Sequence, residues 1–145
     1  MGIFSANIRA AGKTMSPGTH GEATYTENVA ILPANAYIMW CFGRVKTAFA
    51  GVTAPQVSLG VSGDTERYMV SQPISAVNEL IAGSPPTDNK ATLGVKRFCA
   101  AMDKERITGD AQPIIATFST SSTDFSGLTA GEVEFVIIYV DTNTY

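Results

Sequence analysis

Residues 132–140 limit the fold of this chain more than any other segment, because they predict a strand that is apolar on both faces. Alternate side chains of a strand point to opposite faces. Val133, Phe135, Ile137 and Tyr139 therefore fall on one face, and Val136, Ile138 and Val140 fall on the other. One face can fill a core, while the other needs a cover: the chain's own N-terminal segment, a loop or another subunit. Left uncovered, such a strand is prone to self-association.

Five further segments have the length and composition of short strands, and Gly, Pro, Ser and Asp residues separate them. They are 22–31, 36–49, 56–61, 67–70 and 113–120. Segment 36–49 is apolar on both faces at its start, which places it centrally in a sheet. Residues 74–81 fit a strand or one or two helical turns, 84–89 a loop, and 93–107 a strand despite their helix propensity. This pattern predicts an all-β protein, an antiparallel two-sheet sandwich and, more narrowly, a jelly roll.

The 145 residues of the chain fit a single domain with a core of its own. We expect residues 1–20 to be an N-terminal arm and residues 21–145 to be the β-sandwich domain. Charged residues make up 16% of the chain, against about a quarter in an average globular protein. A surface this poor in charge indicates either that a partner covers part of it or that the short strands are simply rich in Ala, Thr, Ser and Gly.

The expected arm has little sequence pattern. Phe4, Ile8 and Ala11 would share one side of a short helix, but Gly12 and the Ser-Pro-Gly sequence at 16–18 stop any regular element. So few apolar residues cannot form a separate core. The arm therefore either docks on a neighbouring subunit, which we favour, or remains a loose terminus.

Charge and hydropathy argue against nucleic acid and membrane as partners. The formal net charge is −3, and no Lys/Arg cluster provides the basic face that phosphate binding requires. No segment approaches the roughly 18 consecutive apolar residues of a membrane span. The start of the chain does not resemble a signal peptide, so Cys41 and Cys99, both in apolar surroundings, are expected to be buried thiols in a reducing compartment.

We find no sequence pattern for a catalytic, cofactor-binding or metal site. His20 is the only histidine, with no Cys or carboxylate cluster beside it, although a triad assembled only in space stays open at this stage. The two carboxylates of residues 62–67 fit turn chemistry better than a calcium loop. Core packing is favoured over a sugar-stacking platform for most of the aromatic residues at strand positions. These aromatics are Tyr25, Tyr37, Trp40, Phe42, Phe49 and Tyr68.

Two stretches carry a resemblance to known proteins. The first is Val-Lys-Thr-Ala-Phe-Ala-Gly at 45–51 followed by Val-Ser-Leu-Gly-Val-Ser-Gly-Asp-Thr-Glu-Arg-Tyr at 57–68. The second is Pro-Ile-Ile-Ala-Thr-Phe at 113–118 followed by Leu-Thr-Ala-Gly-Glu-Val-Glu-Phe-Val-Ile-Ile-Tyr-Val at 128–140. Together they resemble small phage structural proteins, with the jelly-roll cement or decoration proteins of tailed-bacteriophage capsids as the best-fitting group. The N-terminal arm has no counterpart in this resemblance.

The resemblance implies a non-enzymatic virion protein without cofactors. Such a protein is assembled in the host cytoplasm, lies on the capsid exterior and stabilises the head shell by bridging subunits of the major capsid protein. It implies a homo-oligomer, either a dimer or a trimer, and no direct contact with nucleic acid or membrane.

The apolar residues of the arm and of the last strand are the expected protein interface: Phe4, Ile8, Val136, Ile138 and Val140. Two other functions stay open. A tail or fibre module that binds a host glycan predicts an exposed aromatic groove with polar neighbours. A small hydrolase or lyase predicts His20 beside an acid in a cleft.

Overall fold

The computed structural model describes residues 8–34, 36–76, 80–82 and 110–141, and every regular element within them is a β-strand. The strands are β1 (Ile8–Met15), β2 (Thr24–Leu32), β3 (Tyr37–Ala50), β4 (Gln56–Val61), β5 (Asp64–Pro73), β6 (Leu80–Ala82), β7 (Gln112–Ser119) and β8 (Ala130–Val140). In this part of the chain, no helix is long and apolar enough to cross a membrane. The predicted all-β class is confirmed.

The strands form two antiparallel sheets of four. Sheet A has the order β1-β8-β3-β6, and sheet B has the order β2-β7-β4-β5. The pairs β1/β8, β2/β7, β3/β6 and β4/β5 are those of one long antiparallel hairpin that has been rolled up, so that alternate pairs enter different sheets. Because β8 also pairs with β3, and β7 with β4, each sheet is continuous. This strand order is that of a jelly roll, and the predicted two-sheet sandwich is confirmed.

The core lies between the sheets and is built from alternate residues of the central strands. Phe49 of sheet A stacks on Phe118 of sheet B with 5.9 Å between ring centroids, and Phe135 meets Phe118 edge-on at 6.5 Å. Such ring contacts add to the free energy of burial and join the two layers. The residues of β7 and β8 with no exposed surface are Ile114, Ala116, Phe118, Val133, Phe135 and Ile137.

Several predicted segments coincide with observed strands. Segment 56–61 is β4, and segments 113–120 and 132–140 match β7 and β8 to within two residues at each end. The predicted turn is confirmed at Ser62 and Gly63, which alone connect β4 to β5, and Gly63 has the positive φ of 87° that glycine tolerates. Residues 64–67, also interpreted as turn residues, belong to β5. Cys41 is buried as expected, with 2% of its surface exposed. Cys99 and the expectations for residues 84–89 and 93–107 lie outside the described residues.

The N-terminal segment differs from its prediction. Residues Ile8–Met15, expected to belong to an arm outside the β-domain, form β1 and pair along their whole length with β8 of the same chain. The sequence did not predict this strand because it lies at the edge of the sheet and seven of its eight residues are partly or fully exposed. Such a strand shows no alternation of apolar and polar residues. Residues 1–7 of the expected arm lie outside the described part.

Two of the aromatic strand positions are buried in the core as expected, whereas two others, Trp40 and Phe42, lie on the outer side of sheet A opposite Ile138 and Val136. Phe49 and Tyr68 are 4% and 1% exposed, whereas Trp40 is 45% exposed. Trp40 lies on the side of β3 that faces away from the other sheet, and a core position was the wrong prediction for it.

Candidate protein-binding face

The two faces of β8 lie in different environments. β8 occupies the middle of sheet A, between β1 and β3. Its residues Val133, Phe135 and Ile137 fill the core. Val136, Ile138 and Val140 alternate with them, point away from sheet B and remain half-buried. The strand that the sequence predicts to be apolar on both faces therefore needs contacts on its outer side.

Neighbouring strands extend this outer surface on both sides of β8, because directly opposed residues of antiparallel strands point to the same face. On β1, Ile8 is opposite Val140 and Ala10 is opposite Ile138. On β3, Trp40 is opposite Ile138 and Phe42 is opposite Val136. Ile8 is 41% exposed and Trp40 is 45% exposed. We call this surface the apolar face; it consists of Ile8, Ala10, Trp40, Phe42, Val136, Ile138 and Val140.

A polar border follows the apolar face along the same strands. Two residues along from the pair Phe42 and Val136, Arg44 of β3 is opposite Glu134 of β8, so a positive and a negative side chain are neighbours there. Lys46 and Glu132 form an exposed ion pair, with 3.9 Å between Nζ and Oε1. Exposed pairs of this kind contribute little stability. An apolar centre with a charged rim is, however, the usual organisation of a protein interface, in which the rim orients the partner.

The structure brings together four of the five residues predicted to form the interface. Ile8, Val136, Ile138 and Val140 are contiguous on the apolar face. Phe4 lies outside the described residues. Trp40 and Phe42 were missed, although the two-sided apolar start of segment 36–49 was the signal that could have assigned them to an outer face.

His20 packs as an aromatic ring in the turn before β2. Its ring centroid lies 5.1 Å from that of Tyr25 and 5.2 Å from that of Phe125, with both pairs tilted. The backbone N–H of Glu22 donates to Nδ1 at 3.2 Å, while Nε2 is buried without a hydrogen-bond partner. These contacts describe a ring held against the end of the core, and no nucleophilic side chain is hydrogen-bonded to either nitrogen in the described part of the chain.

Asp124 is the carboxylate whose electrostatic interaction with His20 is resolved. The Ser126 hydroxyl and the Ser126 backbone N–H both donate to Asp124 Oδ1, the latter at 2.8 Å. These hydrogen bonds, led by the hydroxyl, hold the pKa of Asp124 below its ordinary value, and the neighbouring His20 lowers it further. Within the loop between β7 and β8, the ionised carboxylate of Asp124 thus accepts two hydrogen bonds from the residue two positions later.

Metal-ligating residues do not converge in the part of the chain that the structure describes. No group of three or more His, Cys, Asp or Glu side chains is placed to hold an ion among residues 8–34, 36–76, 80–82 and 110–141. At the start of β5, Arg67 and Asp64 form an exposed ion pair, with 3.9 Å between Arg67 Nη1 and Asp64 Oδ2.

No protein-family model matches this chain, and no curated protein matches it. Solved structures do match in fold. A chain of the cyanophage Pam1 capsid asymmetric unit superimposes with a TM-score of 0.58 at 13% identity, covering 92% of this chain and 84% of that one.

Two further phage capsids contain similar chains. A chain in the acidic stable capsid of Helicobacter pylori bacteriophage KHP30 has a TM-score of 0.57 at 10% identity, covering 92% of this chain and 87% of that one. A chain in the capsid of Ralstonia phage GP4 has a TM-score of 0.57 at 10% identity, covering 92% and 84%. At such low identity the likeness establishes a common fold, and this chain has the fold of chains found in three phage capsids.

Proposed function

We propose that this chain is a structural protein of a bacteriophage capsid and that its apolar face binds another protein subunit of the shell. The observation that carries the proposal is the apolar face itself. The sandwich already has a filled core, yet Trp40 and Ile8 remain 45% and 41% exposed on a sheet whose central strand is apolar on both sides. Contiguous exposed apolar surface of this kind marks interaction sites. The fold shared with chains of phage capsids supports the choice of partner.

More narrowly, we propose a cement or decoration protein on the capsid exterior, added after synthesis in the host cytoplasm. Packaged DNA exerts pressure on the shell, and a protein that bridges neighbouring major capsid protein subunits adds contact area across their joints. Each copy binds modestly, but many linked contacts give a large collective effect. In this arrangement Val136, Ile138 and Val140 form the centre of the interface, and Ile8 extends it along β1. Phe4, outside the described residues, remains part of the proposed interface.

We further propose that the protein is a homo-oligomer, with a dimer as the first expectation and a trimer as the alternative. Closed symmetric assemblies are the commonest form of self-association in such proteins. Sedimentation equilibrium over a range of protein concentrations distinguishes the two. A monomer at every concentration would contradict this part of the proposal and leave capsid binding unaffected.

The other two functions receive less support from the described residues. A glycan-binding tail or fibre module predicts aromatic rings in a groove. Among the described side chains, the one exposed aromatic ring is Trp40, which lies on a sheet face among aliphatic residues. A hydrolase predicts His20 beside a nucleophile, whereas the His20 ring packs between Tyr25 and Phe125. We therefore propose a structural role without catalysis.

The test is binding of purified protein to expanded empty heads of its phage that lack it. Trp40→Thr keeps a residue suited to a strand but removes the largest side chain of the apolar face. If Trp40 is a central contact, we expect affinity for the heads to fall about 30-fold. Bound protein per head is measured by co-sedimentation, and head stability by the temperature at which the heads release their contents.

Ile31→Thr provides the matched control. Ile31 is 64% exposed on β2 of sheet B, so the substitution removes a similarly exposed apolar side chain from the opposite sheet. This variant should bind like the unsubstituted protein. Equal losses for both variants would contradict the assignment of the apolar face. Absence of the protein from purified virions, or unsaturable binding to heads, would contradict the capsid role itself.

A further inference from the structure

A polar groove lies on the outer side of sheet B, on the opposite side of the sandwich from the apolar face. Its volume is about 400 Å³, within the size range of small-molecule sites. Six hydroxyl-bearing residues line it: Thr24, Ser58, Thr65, Ser71, Thr117 and Ser119. Asp64 and Glu66 supply two carboxylates, and no Lys, Arg, His or aromatic side chain is among the lining residues.

The outer side of sheet B forms the floor of the groove, and the strand register places its hydroxyl side chains next to one another on neighbouring strands. Ser58 of β4 is directly opposite Thr117 of β7, and Thr24 of β2 is directly opposite Ser119 of β7. Adjacent strands are about 4.8 Å apart, so these side chains repeat at about that interval across the sheet. That interval is comparable to the distance between alternate equatorial hydroxyls of a sugar ring.

The β4–β5 hairpin forms one wall of the groove. Gly60 permits this, because a β-carbon at that position would collide with the backbone of Asp64 and Thr65. With the hairpin folded this closely over the sheet, Ser58 is only 3% exposed although it points away from the core. The floor is therefore recessed rather than flat.

Two features point to a ligand that forms hydrogen bonds. Thr117 Oγ1 is buried and forms no hydrogen bond with the described protein groups, so a water molecule or a hydroxyl of a ligand in the groove would satisfy it. Glu66 Oε1 accepts hydrogen bonds from the Ser71 backbone N–H at 2.9 Å and from the Ser71 hydroxyl at 2.8 Å. Those bonds orient the carboxylate at the edge of the groove before any ligand arrives.

We propose that this groove binds a small neutral carbohydrate through hydrogen bonds alone. Hydroxyls and carboxylates accept hydrogen bonds from the many donors of a sugar, whereas the two carboxylates repel anionic ligands such as phosphate or acidic sugars. The lining contains no ring on which a sugar could stack, so the site selects a mono- or disaccharide and binds it weakly. This inference concerns the opposite face from capsid binding and does not depend on it.

The experiment is a titration of ¹⁵N-labelled full-length protein, followed by amide chemical shifts. The probes are D-glucose, D-galactose, N-acetyl-D-glucosamine and, as a separate arm, calcium chloride. We expect saturable shifts for at least one sugar, confined to amides of β4, β5 and β7 around the groove. Thr117→Val removes the unpartnered hydroxyl while keeping the shape of the side chain, and it should weaken sugar binding about fivefold.

Two further variants decide the interpretation. Thr26→Val changes a hydroxyl residue directly opposite Thr117 on β2 that does not line the groove, and it should leave binding unchanged. Glu66→Gln keeps an oxygen that can accept from Ser71 and should weaken sugar binding by less than about tenfold. Shifts with calcium but with none of the sugars would overturn the proposal. So would no saturable shift with any probe, or sugar shifts that Thr117→Val leaves intact.

Discussion

At the scale of single residues, the ionisation of Asp124 in the loop between β7 and β8 makes the folding stability of the protein depend on pH. Hydrogen bonds from Ser126 stabilise its ionised form and lower its pKa in the folded protein. A carboxylate whose pKa is lower in the folded state than in the unfolded state stabilises the fold when the pH is above its ordinary pKa. That stabilisation is lost as the pH falls through the folded-state pKa.

We therefore expect Asp124→Asn to lose stability less steeply than the unsubstituted protein between about pH 5 and pH 3. The variant should also be the less stable of the two at neutral pH. Urea unfolding midpoints across this pH range provide the measurement. Asp110→Asn, which removes an exposed carboxylate before β7, serves as the control and should follow the unsubstituted protein. Parallel pH profiles for all three proteins would contradict the role of Asp124.

Gly12 determines how closely β1 approaches β8. A β-carbon at Gly12 would collide with the backbone carbonyl of Phe135, and backbone cannot move aside as a flexible side chain can. We expect Gly12→Ala to lower the free energy of unfolding by about 1 to 3 kcal/mol. Gly21→Ala is the matched control, because a β-carbon there meets nothing within 4 Å. Equal unfolding free energies for the two variants would show that β1 can shift without cost.

The burial of a side chain could be predicted from the sequence where it follows the alternation of a strand. It could not be predicted where it depends on residues that are distant in sequence. The inward set on β8 was predicted correctly, because period two divides a strand into its two faces. The environment of His20 was not predictable, since its ring contacts Phe125 from a loop a hundred residues away. Trp40 was included among the aromatics for which core packing was favoured because they lie at strand positions, but the sequence does not show which side of β3 faces the other sheet.

At the scale of elements, β8 allows a direct comparison of its two faces. Ile137 and Ile138 are adjacent and identical, but Ile137 has no exposed surface and Ile138 lies half-buried on the apolar face. We expect Ile137→Ala to cost about 2 to 5 kcal/mol of unfolding free energy, because it leaves a cavity in the core. Ile138→Ala should cost only about 1 kcal/mol in the isolated protein.

The variants Ile137→Ala and Ile138→Ala also distinguish a residue's contribution to folding from its contribution to binding. Ile138→Ala should reduce binding to capsid heads much more than its small effect on unfolding would suggest, because the side chain becomes fully buried only against the partner. Chemical denaturation and head co-sedimentation together provide the measurement. If Ile138→Ala destabilised the isolated protein as much as Ile137→Ala, the outer side of β8 would be part of the core and not a binding surface.

Strands were predictable where apolar residues alternate and not where they are sparse. Segments 56–61 and 132–140 closely match β4 and β8, whereas β1 was missed because its Gly, Ala, Lys and Thr residues suit an exposed edge. The N-terminal segment was considered as a cover for the outer face of β8, whereas it pairs with that strand within the sheet.

At the scale of the whole molecule, the number and type of strands predicted a sandwich, but not the order of strands in each sheet. Order depends on which distant strands pair, and local patterns are the same for many topologies. The jelly roll was expected from the strand and turn pattern, and the rolled-hairpin pairing of β1 with β8 and β2 with β7 now supports it from the structure. The apolar face spans β1, β8 and β3, so no single segment could have predicted it.

The pairing of β1 with β8 also has a consequence for synthesis on the ribosome. Ile8 is opposite Val140, so the first of the eight described strands to be translated gains its partner only when the eighth has been translated. Among the described strands, β4 and β5 are the one pair joined by a tight turn, and this hairpin can form long before sheet A closes. β1 therefore has no strand partner until β8 has been made, and pairing between segments so distant in sequence slows folding.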